Sequence, residues 1–207
     1  MKLFLLALLT VATAAAAPVT VMVNSGLVYV RVHALPADLP PSNALAHHAW
    51  IVDLRYVKAG AEEAALLDSW VRVNATTATP VFLLANPETS AAVLLPFQSH
   101  TIPGLITVGR RKSGFAVDIT VRTKAETERT AYDALEHGAT VAALTTDFPG
   151  KPRIDEEKLT REHLQDVQAP DEPEEDPKHP TPPPPLIDAV LQRAVHLDEG
   201  LIALKKL

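Results

Sequence analysis

Short apolar runs alternate with stretches of helical spacing along residues 19–144, and this rhythm predicts most of the elements. Val19-Thr-Val-Met-Val23 and Leu27-Val-Tyr-Val-Arg-Val-His33 read as two strands joined by the turn signal Asn24-Ser25-Gly26. In the second, Val28, Val30 and Val32 alternate with Tyr29, Arg31 and His33, which predicts one wet face. Pro36 to Pro41 is rich in breakers. A strand from Trp50 to Leu54 precedes a helix from about Ala61 to Val73, where Ala64, Leu67, Trp70 and Val71 share a face. Val81 to Ala85 is apolar throughout, as suits a strand covered on both sides. Asn86-Pro87-Glu88 then predicts a helix start, with a capping residue, a proline for the first turn and an acid for the positive helix end. Pro96 shortens or bends that helix. Leu105 to Val108 and Phe115 to Val121 read as strands. A helix from about Ala125 to His137 ends at Gly138, and Ala139 to Leu144 reads as a last short strand.

Strands and helices alternating at this length imply an α/β domain with a mostly parallel sheet. Its limits are set by what flanks it. Met1-Lys2, the apolar Leu3 to Val11 and the small residues Ala14-Ala15-Ala16 form a secretory signal at residues 1–16, cleaved after Ala16. The apolar run is shorter than the ~20 residues a spanning helix needs, so the mature chain is expected to have no transmembrane span. The expected localisation is therefore export, to the periplasm or the extracellular space. The α/β domain follows at 17–166. Residues 167–185 are rich in Pro and acid, with Asp171, Glu172, Glu174, Glu175 and Asp176, and read as an extended linker. At 186–207, Ile187, Val190, Leu191, Ala194, Val195, Leu201 and Ile202 give an amphipathic terminal helix one broad apolar face.

Composition narrows the function classes. The 207 residues contain no Cys and carry a formal net charge of −6. A disulfide framework and thiolate chemistry are thereby excluded, and the balance gives no basic footprint for nucleic acid. The His residues show no tight metal-ligand spacing, so neither a metal nor a cofactor is expected; His47-His48 reads as a loop pair.

Three segments carry candidate chemistry. Trp50-Ile-Val-Asp53-Leu-Arg55 ends a strand. Glu88-Thr89-Ser90-Ala91-Ala92 follows another. Gly109-Arg-Arg-Lys112-Ser-Gly114-Phe115-Ala116 follows a third. Together they resemble the catalytic domain of the C-terminal processing (tail-specific) serine proteases. In that family an Asp-Leu-Arg strand end leads into a Gly-rich loop, a Thr-Ala-Ser-Ala-(Ala/Ser)-Glu segment holds the nucleophile, and Gly-Glu-x-Thr-x-Gly-Lys-Gly holds the general-base lysine. Asp188-x-x-Leu191-x-x-Ala194 resembles the family's terminal Asp-x-x-Leu-x-x-Ala helix. The resemblance implies a Clp-protease/crotonase-like fold of stacked ββα units.

The same resemblance implies lost activity. Ser90 holds the vestigial nucleophile position, and Phe115 stands where the lysine belongs and cannot accept a proton. Val93 replaces the Glu after the nucleophile segment. Of the Gly-rich loop only Gly60 remains, and with Ala91 of the nucleophile segment it makes up the implied substrate and oxyanion site. Asp53 and Arg55 are expected to make structural hydrogen bonds at the strand end. The expected function is an exported, non-catalytic binding or assembly module for a polypeptide or protein partner, its oligomeric state open. The alternative is an active serine peptidase in which Ser90 uses Lys112 as a displaced base. A Ser90–His arrangement with His100, or with His47 or His48, and Asp53 is a weaker variant. Arg110, Arg111 and Lys112 otherwise read as a solvated basic turn.

Overall fold

The computed structural model describes residues 19–24, 26–41, 49–98, 101–111, 114–146 and 185–204. The expected signal segment, His47, His48, His100, Lys112 and nearly all of the expected linker lie outside them. Six strands form one sheet in sequence order: β1 (Val19–Met22), β2 (Leu27–Arg31), β3 (Ala49–Asp53), β4 (Val81–Ala85), β5 (Leu105–Gly109) and β6 (Ile119–Thr120). β1 pairs antiparallel with β2, and every later pair is parallel. The chain is therefore an α/β protein with a mostly parallel sheet.

Helices cover both faces. α1 (Ala61–Asn74) and α2 (Ala91–Leu94), the latter followed by a 3₁₀ turn at Leu95–Phe97, lie on one side. There Val28, Val30, Trp50, Val52, Val81 and Leu83 meet Leu67, Trp70 and Val71 of α1 and Val93 and Leu94 of α2. Trp50 and Trp70 pack edge to face with centroids 5.6 Å apart. On the other side Leu27, Tyr29, Ile51, Phe82, Leu84 and Val108 meet Val141 of α4 (Val141–Thr145) and Val190, Leu191, Ala194 and Val195 of α5 (Ala189–Ala203). Period-two alternation assigns each strand residue to its face. It also sets Tyr29, in mid-strand, and Arg31 and Asp53, at the carboxyl ends of β2 and β3, on the α5 side.

Four local readings are corrected. The expected wet face is covered at Tyr29 and Arg31, both 0% exposed, while His33, just beyond β2, keeps partial exposure. Residues 141–145 are helical, because Thr140 caps a turn by accepting from the Ala143 amide at 3.1 Å, so the expected strand at 139–144 is absent. The expected helix start at Asn86 is a side-chain turn. Asn86 Oδ1 accepts from the Glu88 and Thr89 amides at 3.0 and 3.1 Å, which delays α2 to Ala91. The strand expected at 115–121 shrinks to Ile119–Thr120. One glycine is sterically fixed: a Cβ on Gly109 would sit 1.8 Å from the Ala85 carbonyl oxygen of the paired strand. Gly138, at φ +91°, ends α3 (Ala125–Glu136) in the left-handed conformation that a side chain disfavours.

Candidate functional site

The carboxyl ends of β2 and β3 hold a buried polar network. Asp53 Oδ1 accepts from the Arg55 backbone amide at 3.1 Å and from Arg55 Nε at 2.9 Å. Asp53 Oδ2 accepts from the Arg55 guanidinium at 2.6 Å and from the Tyr29 hydroxyl at 2.9 Å. The remaining side of the guanidinium forks onto Asp188, at 2.9 and 2.8 Å. Asp188 also caps α5, accepting from the Leu191 amide at 3.1 Å. Asp53 and Arg55 are 0% exposed and Asp188 is 1% exposed.

Burial acts to lower the Arg55 pKa, but the charges of Asp188 and Asp53 outweigh it and hold the guanidinium above its ordinary value. Burial, then the charge of Asp53, pushes the Tyr29 phenol well above its usual range. A second buried guanidinium, Arg31, donates to the Tyr132 carbonyl at 2.8 Å, lies 3.0 Å from Glu136 and stacks 3.5 Å from the Tyr132 ring centre. Arg55 thus carries both aspartates, while Arg31 pairs with Glu136.

Ser90 caps α2 one turn after β4. Thr89, which sequence reasoning passed over, anchors this turn: its hydroxyl donates to the Leu54 carbonyl at 3.1 Å and accepts from the Asn86 amide at 3.1 Å. The loop after Tyr56 folds directly onto Ser90. The Ser90 amide donates to the Val57 carbonyl at 3.0 Å, and its hydroxyl donates to the Ala59 carbonyl at 2.8 Å. The Ala59 amide points back at the Ser90 Oγ at 3.5 Å. Lys58 reaches the Glu88 carbonyl. The Gly60 amide is engaged by Glu63 Oε2 at 3.0 Å, as the cap of α1, and its φ of −90° is open to any residue. Ser90 and the Gly60 loop are therefore neighbours, and both the amide and the hydroxyl of Ser90 are engaged by backbone carbonyls of that loop. An oxyanion hole needs free N–H donors, and the Ser90 amide is not one.

Phe115 is 6% exposed and belongs to the core that holds Val57, Val93, Leu94 and Phe97, beneath the helix that Ser90 caps. The side chain of Gln98 donates to the Gly114 carbonyl just before it. Ala91 is the exposed first residue of α2. α2 spans four residues, too few to give a helix dipole that would support an oxyanion at Ser90.

An open cleft of about 460 Å³ lies beyond the ends of β3, β4 and β5, lined by Tyr56, Glu88, Arg110, Glu126, Arg129 and Thr130 among others. Clefts at this end of a parallel sheet are where α/β folds hold ligands. Tyr56 takes the left-handed φ of +66° in the residue after the Asp-Leu-Arg end. Its ring packs 4.7 Å from that of Tyr132 and lies under Arg129 at 4.5 Å. Burial and then the charge of Glu128 push the Tyr56 phenol up to about 12. Arg110, expected in a solvated turn, instead pairs at 2.9 Å with Glu128, which is 2% exposed. Burial raises the Glu128 carboxyl above its ordinary value, with Arg110 opposing it.

Among the described residues no group of His, Asp and Glu could hold a metal, and no helix is long and apolar enough to cross a membrane. Compared with protein-family models, curated proteins and solved structures, the chain matches none.

Proposed function

We propose that the protein is an exported, non-catalytic relative of the tail-specific serine proteases, with a Clp-protease/crotonase-like domain that serves as a binding or assembly module. One observation carries this reading. The Asp-Leu-Arg strand end and the Asp-x-x-Leu-x-x-Ala helix, two fragments that resemble the same family, meet 133 residues apart in one buried triad, Asp53–Arg55–Asp188. Chance likeness at two distant segments gives no reason for them to pair. The carbonyls of Val57 and Ala59 around Ser90, and a phenyl ring at position 115, support the loss of hydrolysis. The cleft beside Tyr56 and Arg129 then offers the binding surface, for a polypeptide. The test compares native protein with Ser90→Ala and with Thr130→Trp, which fills the cleft. An unstructured polypeptide should stay uncut by all three, and binding should survive Ser90→Ala and be lost in Thr130→Trp. Cleavage by the native protein that Ser90→Ala abolishes would overturn the non-catalytic reading. Binding unaffected by Thr130→Trp would overturn the choice of cleft.

A further inference from the structure

Two adjoining clefts flank β6. One, of about 520 Å³, is lined by Arg110, Arg111, Arg122 and Lys124 with Thr120, Val121 and Thr123. The other, of about 300 Å³, shares Thr120, Val121 and Arg122 and adds Ala189, Gln192, Arg193 and His196 of α5. Among the described residues no acidic side chain lines either. Among the described residues Arg111, Arg122, Lys124 and Arg193 form no ion pair. This is a concentrated positive surface on a chain whose net charge is −6.

We propose that this surface is the docking site for the acidic stretch Asp171-Glu-Pro-Glu-Glu-Asp176 of the same chain. The stretch carries five carboxylates in six residues. It lies outside the described residues, between Thr146 and Pro185. The two ends of that interval come together, since the Asp188 amide donates to the Leu144 carbonyl at 2.9 Å. Ala189, which lines the second cleft, is 13 residues beyond Asp176. At ~3.3 Å per residue that length reaches up to about 40 Å, enough to lay the carboxylates across both clefts. Guanidinium forks suit carboxylates, and a tethered partner acts at an effective concentration near the millimolar range. An external polyanion must instead approach a net-negative chain.

The test is zero-length carbodiimide cross-linking of the full chain at low salt, read by peptide mass spectrometry. Lys124 supplies the amine. The expected product is an amide between Lys124 and a carboxylate of residues 171–176 within one chain. Its yield should fall at least fivefold in 1 M NaCl, where the screening length is about 3 Å. It should fall likewise in Arg111→Gln/Arg122→Gln/Arg193→Gln, which keeps Lys124. Links from Lys124 to other carboxylates but not to 171–176, links only between two chains, or a yield indifferent to salt would each overturn the proposal.

Discussion

Truncating Asp188 to alanine removes one of the two carboxylates on a guanidinium that water does not reach. Arg55 is 0% exposed, and its two bonds to Asp188 are 2.9 and 2.8 Å long. Breaking a buried ion pair from one side costs about 3–5 kcal/mol, chiefly because the remaining charge stays buried. The same substitution removes the cap of α5, worth about 1 kcal/mol. α5 covers Leu27, Tyr29, Ile51, Phe82 and Leu84, so its release exposes one face of the sheet. Total stability of a domain is about 5–15 kcal/mol, so Asp188→Ala removes a large fraction of it. Asp188→Asn keeps the volume and the cap and loses the charge, and should cost less. The assay is urea unfolding at pH 7 on native protein, Asp188→Ala, Arg55→Met and the double variant. The double variant should cost less than the sum of the singles, with a coupling of up to about 3 kcal/mol. A cost below about 1 kcal/mol for Asp188→Ala, or additive single effects, would refute the idea that the triad fastens the terminal helix to the strand end.

Further outcomes follow from the same geometry. The Glu128 carboxyl has its folded pKa raised above the unfolded value near 4.5; its contribution to stability is full below that value and lost as pH rises through the folded pKa. The urea midpoint of Glu128→Gln should therefore gain on that of the native protein from about pH 4.5 upward, and a pH-independent difference would contradict this. Ser90→Ala removes one hydrogen bond to the Ala59 carbonyl and should cost about 0.5–1.5 kcal/mol in the same assay. Phe115→Lys should not create a protease but unfold the protein more easily, by about 3 kcal/mol or more, because the ring is 6% exposed in the core; a stable, peptide-cleaving variant would refute this. N-terminal sequencing of exported protein should begin near Ala17, and an intact Met1 on membrane-bound material would contradict export.

The strands with the plainest apolar runs were legible as written. Val81–Ala85 falls on the residues its composition marks, and α1 on the face marked by Ala64, Leu67, Trp70 and Val71. The misreadings come from side chains whose partners residue types alone do not announce, some distant in sequence and some within one turn. Tyr29 and Arg31 look like a solvent face until α3, α5 and Asp53 cover them. Arg110 looks solvated until Glu128 arrives from α3. Asn86 looks like a helix cap until its side chain closes a turn on Thr89. Asp53, Arg55 and Asp188 were each visible as motif residues, but their pairing needs the fold that carries α5 back to β3. The inward carbonyls of the loop at 57–59 are a matter of backbone direction, which residue types alone do not fix.

The most direct test of the proposed non-catalytic reading is intact-mass analysis after exposure to a serine-reactive fluorophosphonate, with Ser90→Ala as the control. With the Ser90 hydroxyl bonded to the Ala59 carbonyl and its amide to the Val57 carbonyl, the native protein should carry no adduct, like the control. A single adduct on the native chain, mapped to Ser90 and absent from Ser90→Ala, would contradict it.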